Sequence, residues 1–118
     1  MDRYHTVKKS KDFYNIIHNG RFFKNKSYII YVYANQLDIN RFGISVSKKL
    51  GKAVYRNKYK RQLRCIIDKY KKYYQNSFDY IIIIMNSYID LNFEEKEKDY
   101  KYLIDMINSY YKEKINEA

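Results

Sequence analysis

The chain has 118 residues, which suffices for one domain with a single hydrophobic core. Lysine and arginine total 24 against 13 acidic residues, and the net charge of +11 favours a polyanionic partner, nucleic acid before a membrane surface. No apolar run could span a bilayer, and the amino terminus lacks the apolar region of a secretory signal. The single cysteine excludes an internal disulfide and fits a reducing cytoplasm. We therefore expect one cytoplasmic domain over residues 1–118, with no membrane partner.

The first predicted element is a short helix over residues 10–18. Ser10 is a suitable N-cap, and Gly20 follows the last residue as a C-cap. The spacing i, i+3, i+4 gives this helix an apolar side made of Phe13, Ile16 and Ile17.

Two strands are predicted next, separated by a polar turn at residues 36–40. Residues 28–34 are rich in aromatic and β-branched side chains, which are typical of strands. Residues 41–47 alternate, so that Phe42, Ile44 and Val46 share one face while Gly43, Ser45 and Ser47 share the other. The apolar set is expected to face the core, which leaves small and polar groups on the opposite face.

A long helix over residues 53–74, a strand over residues 78–85 and a last helix complete the chain. The strand is apolar on both faces and is therefore expected to be central. Asn92 and Glu95 have the spacing of a capping box at the start of the last helix. Its apolar stripe consists of Tyr100, Leu103, Ile104, Ile107 and Tyr111. The chain thus reads as helix, two or three strands, helix, strand, helix. Taken with three strands, as α-β-β-β-α-β-α, this order predicts an α+β fold, a small mixed sheet of about four strands packed with three helices.

The long helix has one strongly basic side. At about 100° per residue, five polar residues fall together: Arg56, Asn57, Lys60, Arg61 and Arg64. The opposite side is predicted to seat on the core through Tyr55, Tyr59, Leu63, Ile66 and Tyr70. Arginine forks match phosphate oxygens, and Asn57 adds a neutral donor and acceptor, so this side suits a phosphate backbone better than a merely solvated surface.

Other candidate residues have plainer interpretations. For Phe13 and Tyr31, core packing competes evenly with a binding role. His5 and His18 have no cysteine or suitably spaced carboxylate beside them in sequence, so no metal site is expected. Cys65 is expected to be a small half-buried residue. The acidic group before and within the last helix is interpreted as capping and solubility rather than a two-metal nuclease site: Asp90, Glu94, Glu95, Glu97 and Asp99.

One long motif resembles a known family. Residues 42–54 read FGISVSKKLGKAV and are followed by Arg56-Asn57, Lys60-Arg61 and Arg64. This pattern, with the first helix and the order of elements, resembles the bacterial ribonuclease P protein component over most of the chain. The resemblance implies a protein that helps a catalytic RNA remove the 5′ leader from precursor tRNA. It also implies an unusual left-handed crossover between parallel strands, against the general rule.

The resemblance further implies two groups of site residues. The basic residues that grip the catalytic RNA are Lys48, Lys49, Lys52, Arg56, Asn57, Lys60, Arg61 and Arg64. The residues of a cleft for the single-stranded leader are Phe13, Ile17, Ile29, Tyr31, Ser45 and Ser47. Ile17 departs from the family, which often has an aromatic residue there. The RNA is expected to carry the active site and the Mg²⁺, so the protein has no catalytic residue, metal or cofactor of its own, and one protein is expected per RNA.

Two other functions stay open at this point. The same basic helix would suit a ribosomal or ribosome-assembly protein that binds structured RNA. A protein-only nuclease would instead depend on the carboxylates near residue 94.

Overall fold

The computed structural model describes the backbone of residues 6–117 and the side chains of residues 6–113. His5, considered above as a metal ligand, lies outside the described residues. Within residues 6–117, three helices and four strands run in this order: α1 Ser10–Asn19, β1 Arg21–Lys24, β2 Tyr28–Ala34, β3 Arg41–Ser45, α2 Ala53–Lys69, β4 Phe78–Ile84 and α3 Phe93–Glu117. Two short 3₁₀ turns, Lys48–Leu50 and Asn86–Asp90, precede α2 and α3. The predicted α-β-β-β-α-β-α order is confirmed.

The four strands form one mixed sheet in the order β1-β2-β4-β3. The pairs β1/β2 and β2/β4 are antiparallel, whereas β3 and β4 are parallel neighbours joined through α2. The predicted central position of the Ile-rich strand is therefore confirmed. The left-handedness of the β3-α2-β4 crossover stays a prediction from the resemblance.

Several predicted boundaries shift. The helix α1 begins at Ser10 itself, and its N-cap is Lys9, which makes no side-chain capping bond, so the prediction for Ser10 was wrong by one residue. Gly20 is confirmed as the C-cap, and glycine is needed there because a Cβ would lie 2.5 Å from the Ile16 carbonyl oxygen. The second predicted strand ends at Ser45, and the long helix ends at Lys69 rather than at residue 74.

The main core lies between the sheet and the helices α2 and α3, and tyrosines fill much of it. Tyr28, Tyr80, Tyr88 and Tyr100 are almost completely buried. Buried hydroxyls need hydrogen-bond partners. Tyr28 donates to the Lys96 carbonyl oxygen at 2.6 Å, and the Tyr74 and Tyr100 hydroxyls bond each other at 2.8 Å. Partnered hydroxyls are what allow this core to use tyrosine where most cores use leucine or phenylalanine.

A smaller cluster lies on the opposite face of the sheet, under α1. Its buried members are Val7, Ile16 and Ile81. A salt bridge at the end of the sheet also helps to hold α1. The Asp79 carboxylate, in a residue that is 2% exposed, accepts hydrogen bonds from Arg41 Nε at 2.8 Å and from Arg41 Nη2 at 2.6 Å. Arg41 in turn reaches Asp12 on α1, with 3.7 Å between Nη1 and Oδ2. The helix α1 is thus fixed to the sheet by apolar packing and by charge.

Candidate nucleic-acid interface

The eight predicted RNA-contacting residues form one connected segment, which we call the cationic surface: Lys48, Lys49, Lys52, Arg56, Asn57, Lys60, Arg61 and Arg64. The first three lie on the 3₁₀ turn and at the N-cap of α2, and the other five lie on α2 itself. Arg56 and Lys60 are half-buried, and the other six are exposed. The structure therefore presents the predicted group to solvent along one helix and the turn before it.

Local backbone geometry sets the orientation of the cationic surface. Ser47 Oγ accepts a hydrogen bond from the Lys49 N–H at 3.2 Å and caps the short turn. Gly51 then takes φ +128, a value that L side chains rarely adopt, so glycine is required where the chain bends into α2. Arg56 Nε donates to the Gly51 carbonyl oxygen at 3.2 Å, which holds the guanidinium against the bend.

Within residues 6–113, the structure pairs no lysine or arginine of the cationic surface with a carboxylate. The cations that form ion pairs elsewhere in that range are Arg41, Lys69 and Lys101. Like charges that lack partners repel one another and raise the local positive potential. Such a surface gains most from an external polyanion, because each phosphate bound both relieves repulsion and releases counterions.

The side of α2 that faces the core mostly follows the helical projection. Tyr59, Leu63, Ile66 and Tyr70 are buried as predicted. The prediction for Tyr55 was wrong: its side chain is 52% exposed, in the first turn of the helix. Cys65 is likewise exposed rather than half-buried.

Behind α2 lies a buried lysine that sequence reasoning missed. Lys96 is 5% exposed, donates from Nζ to Gln62 Oε1 at 3.1 Å, and lies 4.4 Å from the centre of the Tyr88 ring. Burial, and to a lesser degree the nearby Lys58, lowers its pKa. In the sequence Lys96 stands among acidic residues, so nothing in the pattern distinguishes it from a solvated charge. Its ring and amide contacts connect α3 to the helix that carries the cationic surface.

The second candidate region is the cleft between α1 and the sheet. Phe13, Ile17 and Tyr31 are half-buried and pack in the cluster under α1, so the structure brings these three predicted residues together. Gly43 allows the close approach: a Cβ there would lie 2.6 Å from Phe13 Cζ and 2.7 Å from Ile81 Cδ1. The face of β3 that was expected to carry small and polar groups is therefore covered at Gly43 by the Phe13 ring.

Beside the covered part of the sheet runs a half-buried strip. Strand register aligns Ile29 with Ile83 and Ile83 with Ser45, and all three are half-buried. Ile29 and Ser45 were predicted for the cleft, whereas Ile83 and the half-buried Tyr33 were not. Ser47 does not join the strip, because it lies beyond the end of β3 and caps the 3₁₀ turn.

The carboxylates near residue 94 each have a different partner. Glu95 and Asn92 form the predicted capping box: the Glu95 N–H donates to Asn92 Oδ1 at 2.8 Å, and the Asn92 N–H donates to Glu95 Oε1 at 3.3 Å. Glu97 pairs with Lys69 and accepts from the Tyr70 hydroxyl, contacts that lower the pKa of Glu97. Asp99 accepts from the Ser27 hydroxyl. No group of three or more potential metal ligands occurs in the part of the chain that the structure describes.

The fold and the site together define a class: small basic α+β proteins suited to binding a polyanion. The fold supplies a mixed four-stranded sheet with one partly open face. Next to it lies a helix whose cations have no carboxylate partners within residues 6–113. Among the described helices, none has both the length and the apolar character needed to cross a membrane.

Comparisons with known proteins identify the family. The model of the family Ribonuclease P matches residues 1–108. The ribonuclease P protein component of Mesoplasma florum is 39% identical over 99 residues, covering 83% of this chain and 90% of the relative. That of Syntrophomonas wolfei is 36% identical over 100 residues, covering 85% and 84%. The structure of the Staphylococcus aureus RNase P protein matches with a TM-score of 0.81 and 32% identity, covering 87% of this chain and 94% of that protein.

The chain belongs to the ribonuclease P protein family, as its motif suggested. It is accordingly a protein subunit of the ribonucleoprotein endoribonuclease that processes the 5′ end of tRNA.

Proposed function

We propose that the cationic surface binds the phosphate backbone of the catalytic ribonuclease P RNA while the cleft beside α1 holds the single-stranded 5′ leader of precursor tRNA. One protein serves one RNA in the cytoplasm. The RNA holds the catalytic Mg²⁺, and the protein contributes binding and positioning. The observation that carries the proposal is the row of cations without carboxylate partners in residues 6–113.

The chemistry of the cationic surface supports the RNA half of the proposal. Arg61 and Arg64 are exposed and lie three residues apart on α2, so their guanidinium forks occupy neighbouring positions on one helix face. Asn57, exposed on the same helix, can bond a phosphate or a ribose hydroxyl. These groups position an RNA without selecting its sequence, which suits a partner recognised by its folded shape.

The α1 side of the sheet supports the leader half. Single strands are held by positive grooves lined with aromatic platforms, and stacking tolerates any base. Tyr31 supplies a half-buried ring, and the strip of Ile29, Ile83 and Ser45 supplies a half-buried surface of two apolar side chains and one hydroxyl beside it. A protein that must accept many leader sequences needs such a tolerant surface.

Reconstitution tests the proposal directly. The purified protein is mixed with a ribonuclease P RNA and a leader-bearing precursor tRNA at low Mg²⁺. We expect cleavage at the mature 5′ end only when both components are present. Cleavage by the protein alone would support a protein-only nuclease, and no stimulation of the RNA would support a ribosomal or ribosome-assembly role.

The cleft is tested separately with Tyr31→Ala. We expect the variant holoenzyme to bind leader-bearing precursor more weakly, by about fivefold or more, because it cannot stack a base at this position. Affinity for leaderless tRNA should stay unchanged. Tyr102→Ala is the matched control, since Tyr102 is 62% exposed on α3. Equal losses for both RNAs would make Tyr31 a packing residue.

A further inference from the structure

Phe22 is a large aromatic residue that the fold leaves exposed. It lies on β1, at the edge of the sheet, and is 61% exposed. Strand register places it directly opposite Tyr31 on the same face of the sheet, with 5.9 Å between the ring centres. An aromatic side chain that stays exposed on an edge strand is open to contact by another chain, and Phe22 lies directly beside the proposed leader cleft.

The surroundings of Phe22 fit an RNA strand. A groove of about 630 Å³ opens beside it, at the end of α1, and its lining includes Asn19, Arg21 and Tyr33. Lys24, two residues further along β1, lies on the same face as Phe22 and is exposed. An aromatic platform, an adjoining groove and a nearby exposed cation are parts that single-strand binding uses.

The geometry points to Phe22 as a stacking platform for a leader nucleotide beyond the one at Tyr31. This inference rests on the proposed leader cleft and extends it from the strands under α1 onto the sheet edge. The two ring centres are 5.9 Å apart and the rings are tilted by 48°, so Phe22 and Tyr31 contact each other and form one continuous aromatic surface. The occupant is single-stranded RNA, recognised by its bases' faces and its phosphates rather than by its sequence.

Fluorescence offers a local test, because the chain contains no tryptophan. Phe22→Trp introduces a single reporter, and Tyr102→Trp introduces an equally exposed one on α3 as the control. Each variant is assembled with ribonuclease P RNA and titrated with precursor tRNA carrying a long leader or none. We expect quenching only for Phe22→Trp and only with the leader. No quenching, or quenching of both reporters, would overturn the inference.

A leader-length series gives the second test, with Phe22→Ala and precursors lengthened one nucleotide at a time. We expect the affinity of the variant holoenzyme to match the unmodified one for short leaders and to fall about five- to tenfold once the leader reaches the edge of the sheet. Thermal unfolding should be unchanged, since the side chain is exposed. A uniform loss, or none, would overturn the assignment of Phe22. If Tyr31→Ala also shows no dependence on leader length, the leader cleft itself is refuted.

Discussion

Gly43 is the position where one added methyl group should disturb the cleft most. It is buried on β3 beneath α1, and a Cβ built there would lie 2.6 Å from Phe13 Cζ and 2.7 Å from Ile81 Cδ1. Carbon atoms normally approach to about 3.5–4.0 Å, so Gly43→Ala creates two overlaps of about 1 Å. The end of Ile81 can turn aside at modest cost, but the Phe13 ring is rigid and must shift as a whole, either by rotation of its side chain or with part of α1.

The expected destabilisation follows from two opposing contributions. Overpacking in a closed site costs about 1–3 kcal/mol. Replacing glycine by alanine reduces the entropy of the unfolded chain and returns about 0.4–1 kcal/mol. The net loss of unfolding free energy for Gly43→Ala should therefore be about 1–2 kcal/mol.

Urea unfolding of four proteins measures this effect and its cause: the unmodified chain, Gly43→Ala, Phe13→Leu and the double variant. If the Phe13 ring is the obstacle, the smaller leucine makes room, and the double variant should be more stable than additivity predicts by about 0.5 kcal/mol or more. Ser45→Ala, on the same strand and face, is the control and should change stability little. Additive effects, or a Gly43→Ala variant as stable as the unmodified chain, would refute the packing of Phe13 over Gly43.

Three further predictions concern charge. Arg56→Ala or Arg64→Ala should lower the slope of log affinity for ribonuclease P RNA against log salt by about one unit for each phosphate that the variant no longer binds, and an unchanged slope would exclude phosphate binding by that arginine. Asp79→Asn should cost about 2 kcal/mol in urea unfolding, because the buried Asp79 carboxylate accepts two charged hydrogen bonds from Arg41; a loss below about 1 kcal/mol would show that this salt bridge is weak. Burial raises the pKa of Tyr100. The neutral Tyr100 side chain therefore contributes its full stabilisation below about pH 10, the ordinary tyrosine pKa, and this stabilisation is lost as the pH rises above 10. The part of the tyrosinate absorbance that comes from the buried tyrosines should therefore appear only together with unfolding above pH 10, and ionisation of all 16 tyrosines near that pH with the fold intact would contradict this.

Helical periodicity predicted α2 well because its signal is local. Tyr59, Leu63 and Ile66 recur at helical spacing, and each is buried. The same projection was wrong for Tyr55. A helical projection shows which side of the helix a residue lies on, but it does not show how far along the helix the core extends. In the first turn, Tyr55 is 52% exposed and lies beyond the part of α2 that the core covers.

The cleft could be predicted only in part, because strand register is a long-range property. The four isoleucines at residues 81–84 identify a central strand, but an unbroken apolar run does not show which members face α1. Register settles this: Ile83 lies between Ile29 and Ser45 on the half-buried strip, whereas Ile82 faces the main core. Phe22 was missed for a related reason, since β1 has only four residues and no alternation long enough to assign its faces.

The unequal helices explain why one face of the sheet is closed and the other remains partly open. At about 1.5 Å per residue, α3 with its 25 residues is about 37 Å long, whereas α1 with 10 residues is about 15 Å long. The long helix, with α2, covers the tyrosine-rich face, but the short one covers only part of the opposite face and leaves the strip and Phe22 accessible. Most of the buried apolar surface, and hence most of the stability, lies on the closed face. Substitutions at exposed or half-buried positions on the open face should therefore act mainly on RNA binding. Phe13 is the exception, because its ring packs over Gly43 and belongs to both the fold and the cleft.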